Sequence, residues 1–145
     1  MEDNMYRLLI IEDDLGIASA VEKQALSWDF SVKCVENFHD IMKEFAGFAP
    51  HLVLLDLALP FYNGYHWCSE IRKVSKVPVI ILSSASDNMN IVMAMNMGAD
   101  DFIAKPFDGN VLMAKIQALL RRTYDFTAAV PLLEHRGALF NKEDG

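Results

Sequence analysis

No apolar run in this 145-residue sequence approaches the ~18 uninterrupted residues that a membrane-crossing helix needs, so no span is expected. The first residues carry the acids Glu2 and Asp3 where a secretory leader has a basic stretch followed by a long apolar one, and a cytoplasmic location is expected. Cysteine is scarce: Cys34 and Cys68 stand far apart, and neither has a second cysteine or a histidine at metal-ligand spacing. That excludes a disulfide scaffold and a thiolate metal centre, and leaves two reduced, partly buried thiols. Basic residues are outnumbered, 13 against 20 acids, for a formal net charge of −7. Nucleic acid is bound mainly through Lys and Arg, so the folded body is not expected to hold it unaided. Repeats and low-complexity tracts are also missing.

What is present is enough chain for one well-buried domain, with a hydrophobic fraction of 52%. Short aliphatic runs at 7–11, 31–35, 52–55, 79–82 and 101–104 alternate with segments of helical period at 15–28, 38–45, 64–74, 88–97 and 109–122. Three of the short runs are almost wholly apolar, as strands covered on both faces must be. The pattern predicts an α/β fold, a doubly wound five-stranded parallel sheet of the (βα)5 kind. Val21, Ala25 and Trp28 form the expected apolar stripe of the first helix. Gly98 marks a helix C-terminus and Asp14 a helix N-cap. Beyond Arg122 the periodicity fails. Residues 123–131 read as a linker and 132–140 as an isolated strand, so the chain divides into a domain at 1–122 and a tail at 123–145.

Ligands of open α/β sheets gather at the carboxyl ends of the strands, and here those ends are chemically unusual. The first run stops at Glu12 and Asp13, the third at Asp56, the fourth at Ser83 and the fifth at Lys105. Carboxylates crowded at one edge repel unless protonated or neutralised, and a hard divalent ion with oxygen ligands, Mg²⁺ or Mn²⁺, is the usual neutraliser. Mg²⁺ commonly combines one or two carboxylates with waters and a phosphate oxygen, which suits phosphoryl transfer. Asp56 is then the nucleophile, Lys105 a compact positive charge and Ser83 a hydroxyl for the phosphoryl oxygens. Each of these residues taken singly is more often a solvated loop residue or a cap. Their coincidence at the ends of alternating strands carries the reading.

The segments Ile10-Ile11-Glu12-Asp13-Asp14, Leu54-Leu55-Asp56-Leu57-Ala58-Leu59-Pro60, Val79-Ile80-Ile81-Leu82-Ser83 and Gly98-Ala99-Asp100-Asp101-Phe102-Ile103-Ala104-Lys105-Pro106 resemble those of bacterial response-regulator receiver domains. The likeness runs from about Arg7 to Arg122. It implies a flavodoxin/CheY-like fold and Asp56 as phosphoacceptor. It also implies Asp13 as direct metal ligand, Glu12 acting through water, and the Ala58 backbone carbonyl completing the metal shell. A sensor histidine kinase is the implied donor, and a cis peptide is implied between Lys105 and Pro106. Ser83 and Phe102 are the implied switch residues.

Within the family the OmpR-type branch is most similar, through Ala99-Asp100-Asp101 and the closing Arg121-Arg122. That branch implies a homodimer across the fourth helix, fifth strand and fifth helix, with Ile91, Asp100, Asp101, Val111, Lys115 and Arg122 on the face. It also implies a winged-helix DNA-binding domain, absent from this chain, whose first strand would be 132–140. The fourth helix contains Met89, Ile91, Val92, Met93, Met95 and Met97 and no charge, so an apolar contact surface is expected there. An aspartate-nucleophile phosphatase is disfavoured because a second acid is wanted two residues after the nucleophile, where Ala58 stands. A flavodoxin-like cofactor protein is disfavoured by the lack of a Ser/Thr/Gly-rich loop after the first strand. A stand-alone or phosphorylation-independent receiver acting by protein contact is the remaining alternative.

Overall fold

The computed structural model describes residues 6–84 and 88–125, and at 88–91 and 125 the backbone only. Among the described residues five strands alternate with five α-helices: β1 (Arg7–Ile11), α1 (Leu15–Ser27), β2 (Ser31–Cys34), α2 (Ile41–Phe48), β3 (Leu52–Asp56), α3 (Gly64–Val74), β4 (Val79–Ser83), α4 (Asn88–Asn96), β5 (Asp101–Ala104) and α5 (Gly109–Leu120). The sheet is parallel throughout, in the order β2-β1-β3-β4-β5. The strand order reverses between β1 and β3, and β3 and β4 are buried at every residue.

Alternation along the strands builds the two faces, because successive side chains in a strand point oppositely. Leu8, Ile10, Leu52, Leu54, Ile80 and Leu82 face α1 and α5, meeting Ala18, Val21, Ala25, Leu112, Met113 and Ile116. Leu9, Ile11, Val53, Leu55, Val79 and Ile81 face the other way and meet Ile41, Phe45, Trp67, Cys68, Ile71 and Ala94. Truncating any of these central leucines or isoleucines to Ala removes about 2–5 kcal/mol of stability. Asp14 caps α1 as expected, its carboxylate accepting from Gly16 N at 2.9 Å and Ile17 N at 3.1 Å. Asp40, Asn63 and Asp108 cap α2, α3 and α5 in the same way.

Of the boundaries that differ from the sequence reading, three have a clear physical reason. The second helix begins at Ile41, not at Phe38, because Asn37 takes the intervening residues into a turn, its side chain accepting from His39 N, and Asp40 then supplies the cap. Trp28 does not extend the buried stripe of Val21 and Ala25. It terminates α1 and is 39% exposed, since Asp29 turns the chain at φ 68°. The last helix does not stop at Arg122: a π-helical turn, Arg121–Asp125, carries it on. Tyr124, expected in a linker, instead packs on the body. The tail strand at 132–140 lies outside the described residues.

The amino-terminal end of the sheet is closed by short, well-directed bonds. Arg7 Nε donates to Phe48 O (3.1 Å) and Ala49 O (2.8 Å), and Arg7 N donates to His51 Nδ1 at 2.9 Å. Tyr124 Oη donates to His51 O at 2.7 Å, and the rings of Tyr6, His51 and Tyr124 pack together with centroids 5.2–5.6 Å apart. Arg72 donates to Gly98 O, Val77 O and Asp100 Oδ2, and Asp100 also accepts from Val79 N.

Candidate functional site

The opposite end carries the chemistry. Because β1, β3 and β4 are adjacent, the residues at their carboxyl ends converge. The strand pairing places Asp56 beside Leu82, one residue before Ser83. Glu12, Asp56 and Ser83 are buried, at 3%, 2% and 3% exposure, whereas Asp13 is exposed at the rim. One carboxylate oxygen from each of Glu12, Asp13 and Asp56 lies within 4.8 Å of the others. Lys105 Nζ sits 2.8 Å from Glu12 Oε1 and 3.2 Å from Asp56 Oδ2. Ser83 O accepts from Lys105 N at 2.7 Å, and the Lys105–Pro106 peptide is cis, as the sequence likeness implied. Asp56 Oδ1 accepts from Ala58 N at 3.4 Å, and Glu12 Oε2 from Asp14 N at 3.2 Å.

Burial dominates the electrostatics of Glu12. It pushes the carboxyl pKa above the ordinary value against the Lys105 hydrogen bond, and the neighbouring Asp56 pushes the same way. For Lys105 burial opposes the charge, but the Glu12 hydrogen bond and the two carboxylates overcome it and lift its pKa. One ammonium thus serves two buried acids. Its contact with the buried Glu12 Oε1 is an ion pair of 2.8 Å. Three carboxylates this close carry more negative charge than one ammonium neutralises, and their all-oxygen donor set fits a hard divalent cation.

Gly64 is a site residue that the sequence analysis did not single out. A Cβ on it would stand 2.3 Å from Asp56 O and 2.8 Å from Leu57 Cα, so α3 can begin directly behind the strand end only with glycine there. Gly64 N donates to Leu57 O at 2.9 Å, closing the loop that contains Ala58. The signal was available in the Asn63-Gly64 pair.

Phe102 is partly buried against the α2–α3–α4 side of the sheet. Among the described α4 side chains only Ala94 is buried; Val92, Met93 and Met95 are exposed, as are Met97 beyond the helix and Val111 on α5. The charges named for that face have partners within the chain: Asp100 pairs with Arg72 at 2.8 Å and Asp101 with Lys115 at 3.3 Å. Arg122 is exposed, and the Ile91 side chain lies outside the described residues.

A parallel five-stranded α/β sheet with a buried acid, two further acids and a lysine at one edge defines a signalling domain of the phosphoryl-receiver class. The family profile described as the response regulator receiver domain matches residues 8–117, and the chain belongs to that family. It is 46% identical over 122 residues to the response regulator protein GraR of Staphylococcus aureus, covering 84% of this chain and 54% of that protein. The chain therefore spans about half the length of the curated relatives it matches. The solved N-terminal domain of the nisin resistance regulator NsrR, a lantibiotic response regulator, is 46% identical, with a TM-score of 0.74 over 80% of this chain and 98% of that one. DrrB of Thermotoga maritima, an OmpR/PhoB homologue, is 31% identical, with a TM-score of 0.75 over 82% of this chain and 54% of that one.

Proposed function

We propose that Asp56 accepts a phosphoryl group from a sensor histidine kinase and that Glu12, Asp13, Asp56 and the Ala58 carbonyl hold the Mg²⁺ or Mn²⁺ that assists the transfer. The observation that carries this is Asp56 itself, 2% exposed yet lying within 4.8 Å of two other acids and 3.2 Å from the Lys105 ammonium. An Asp56 oxygen forms the new P–O bond as the P–N bond of the donor's phosphohistidine breaks and the leaving imidazole takes a proton. The divalent ion, when bound, supplies charge neutralisation for the phosphoryl oxygens. Lys105 is already aimed at the acceptor carboxylate, and Ser83 is the hydroxyl for a phosphoryl oxygen. Ala58 offers no general acid or base, which favours a switch over a turnover enzyme.

The reading extends to output. Phosphorylation adds about −1.5 to −2 charge beside Ser83 and Lys105, drawing their loops inward and moving Phe102 with them. The receiver, placed at 1–122 by the sequence and carried on to Asp125 by the packed closing turn, leads through the rest of the 123–145 tail toward a DNA-binding effector domain outside this chain, in a cytoplasmic transcription regulator. A homodimer forms across α4, β5 and α5, with Ile91 and Val111 giving apolar contact and Asp100, Asp101, Lys115 and Arg122 the charges. The exposed Val92, Met93 and Met95 support that face. Acetyl phosphate with Mg²⁺ is the test. Intact mass should show one added phosphoryl group in the wild type and none in Asp56→Asn, with a shift toward dimer on sizing. An unmodified wild type refutes the reading.

A further inference from the structure

Phe61 lies in the loop between β3 and α3 with a backbone φ of 70°, in the left-handed region that a bulky residue rarely occupies. Tyr62 N donates to Pro60 O at 2.8 Å, so Phe61 is the central residue of a three-residue γ-turn of the rare positive-φ kind. The side chain is not held by the core, being 64% exposed. Its described ring contact is with His39, whose imidazole stacks on it with centroids 3.5 Å apart and planes 25° from parallel. His39 belongs to the loop between β2 and α2, held there by Asn37 Oδ1, which accepts from His39 N at 3.0 Å. The stack therefore joins the loops that follow the two sheet neighbours of β1, the strand on whose end Glu12 and Asp13 stand. On the other side of the turn Tyr62 stacks on His66 at 4.4 Å and meets Trp67 edge-on, which fastens the loop to α3.

We infer that Phe61 and His39 are positioning residues: their stack holds a strained turn in place and thereby fixes the segment carrying Ala58 over the acidic site. A strained backbone persists only where its surroundings over-determine it, and here the over-determining contacts are aromatic and come from a different loop. Glycine would adopt this φ freely, so the ring is needed only because the residue is not glycine. The inference rests on the proposed metal role of Ala58 for its functional half alone.

The experiment uses the full chain and two readouts, amide exchange of residues 57–64 without metal and Mg²⁺ affinity by calorimetry. Phe61→Ala keeps the strain and removes the stack, and His39→Ala does the same from the other loop. Each is expected to speed loop exchange on the order of tenfold and to weaken Mg²⁺ binding about threefold or more. His39→Phe restores both readouts, and Phe61→Gly leaves Mg²⁺ affinity near that of wild type because the strain has gone with the ring. Wild-type behaviour of Phe61→Ala in both readouts overturns the inference, as does Phe61→Gly weakening Mg²⁺ as much as Phe61→Ala. A wild type that binds no Mg²⁺ overturns the functional half and the metal reading together, and loop exchange in the four variants then decides the structural half.

Discussion

The two ends of one sheet are built on opposite plans. At the amino-terminal end Arg7, His51 and Tyr124 bond backbone groups at 2.7–3.1 Å, Arg72 binds backbone carbonyls and the Asp100 carboxylate, and aromatic rings pack together there. At the carboxyl end three carboxylates crowd together, two of them sharing Lys105, and the contacts that hold Asp56 are 3.2 and 3.4 Å long. Satisfied polar groups stabilise a single arrangement, and partly satisfied ones leave room for a ligand to choose another. Directed bonds to the backbone mark one end of β3, and crowded acids the other.

The comparison is broken most severely at Gly64. Gly64→Ala forces a methyl against Asp56 O, and is expected to remove on the order of 1–3 kcal/mol of stability while displacing the Asp56 backbone and abolishing phosphoryl uptake. Chemical denaturation and acetyl phosphate labelling check both parts; a stable variant that labels normally would show that the close approach is dispensable. Arg7→Ala attacks the other end. Leaving Phe48 O and Ala49 O without their donor is expected to remove about 1.5–3 kcal/mol with Mg²⁺ affinity unchanged, and a loss of affinity would show that the ends are not independent.

Acid sharpens the contrast by smaller amounts. Burial, helped by Arg7, holds the His51 pKa below its ordinary 6.5, so the unfolded chain takes up that proton first and stability falls as pH drops below 6.5. Glu12 runs the other way. Its pKa is raised above 4.5 by burial, so the folded chain keeps its proton longer and stability falls as pH climbs through the window just above 4.5. Thermal melting across pH in ion-free buffer should therefore show two opposing slopes, the first removed in His51→Gln and the second in Glu12→Gln. A single slope unaffected by either substitution would contradict both assignments.

Much of the molecule was legible in its sequence. Strand positions and site location come from apolar runs ending in Asp, Glu, Ser and Lys, because a parallel sheet buries its strands and presents their carboxyl ends together. Asp14 announced itself as a cap, and Gly98, at φ 102°, as a helix end. Local hydrogen bonding was less legible. Asn37 diverted three residues from the second helix, and Trp28 looked like a core residue by spacing alone. Least legible were contacts made across the fold. Nothing in the order of residues says that Tyr124 reaches His51, that Gly64 grazes Asp56, or that Phe61 rests on His39, since each pairing exists only once the sheet has closed.

The Tyr124 clasp has a mechanical meaning. His51, whose carbonyl it grips, and Asp56 stand five residues apart along the same chain segment, about 17 Å at a strand's rise of ~3.3 Å per residue. β3, which fills that interval, is buried at every residue and hydrogen-bonded on both edges, so it behaves as a beam clamped along its length. A push at Asp56 is not passed down such a beam as bending. The closing turn at Arg121–Asp125 is moored at the other end of this beam from Asp56, so the last described residues and the acidic site are held apart by the full length of β3.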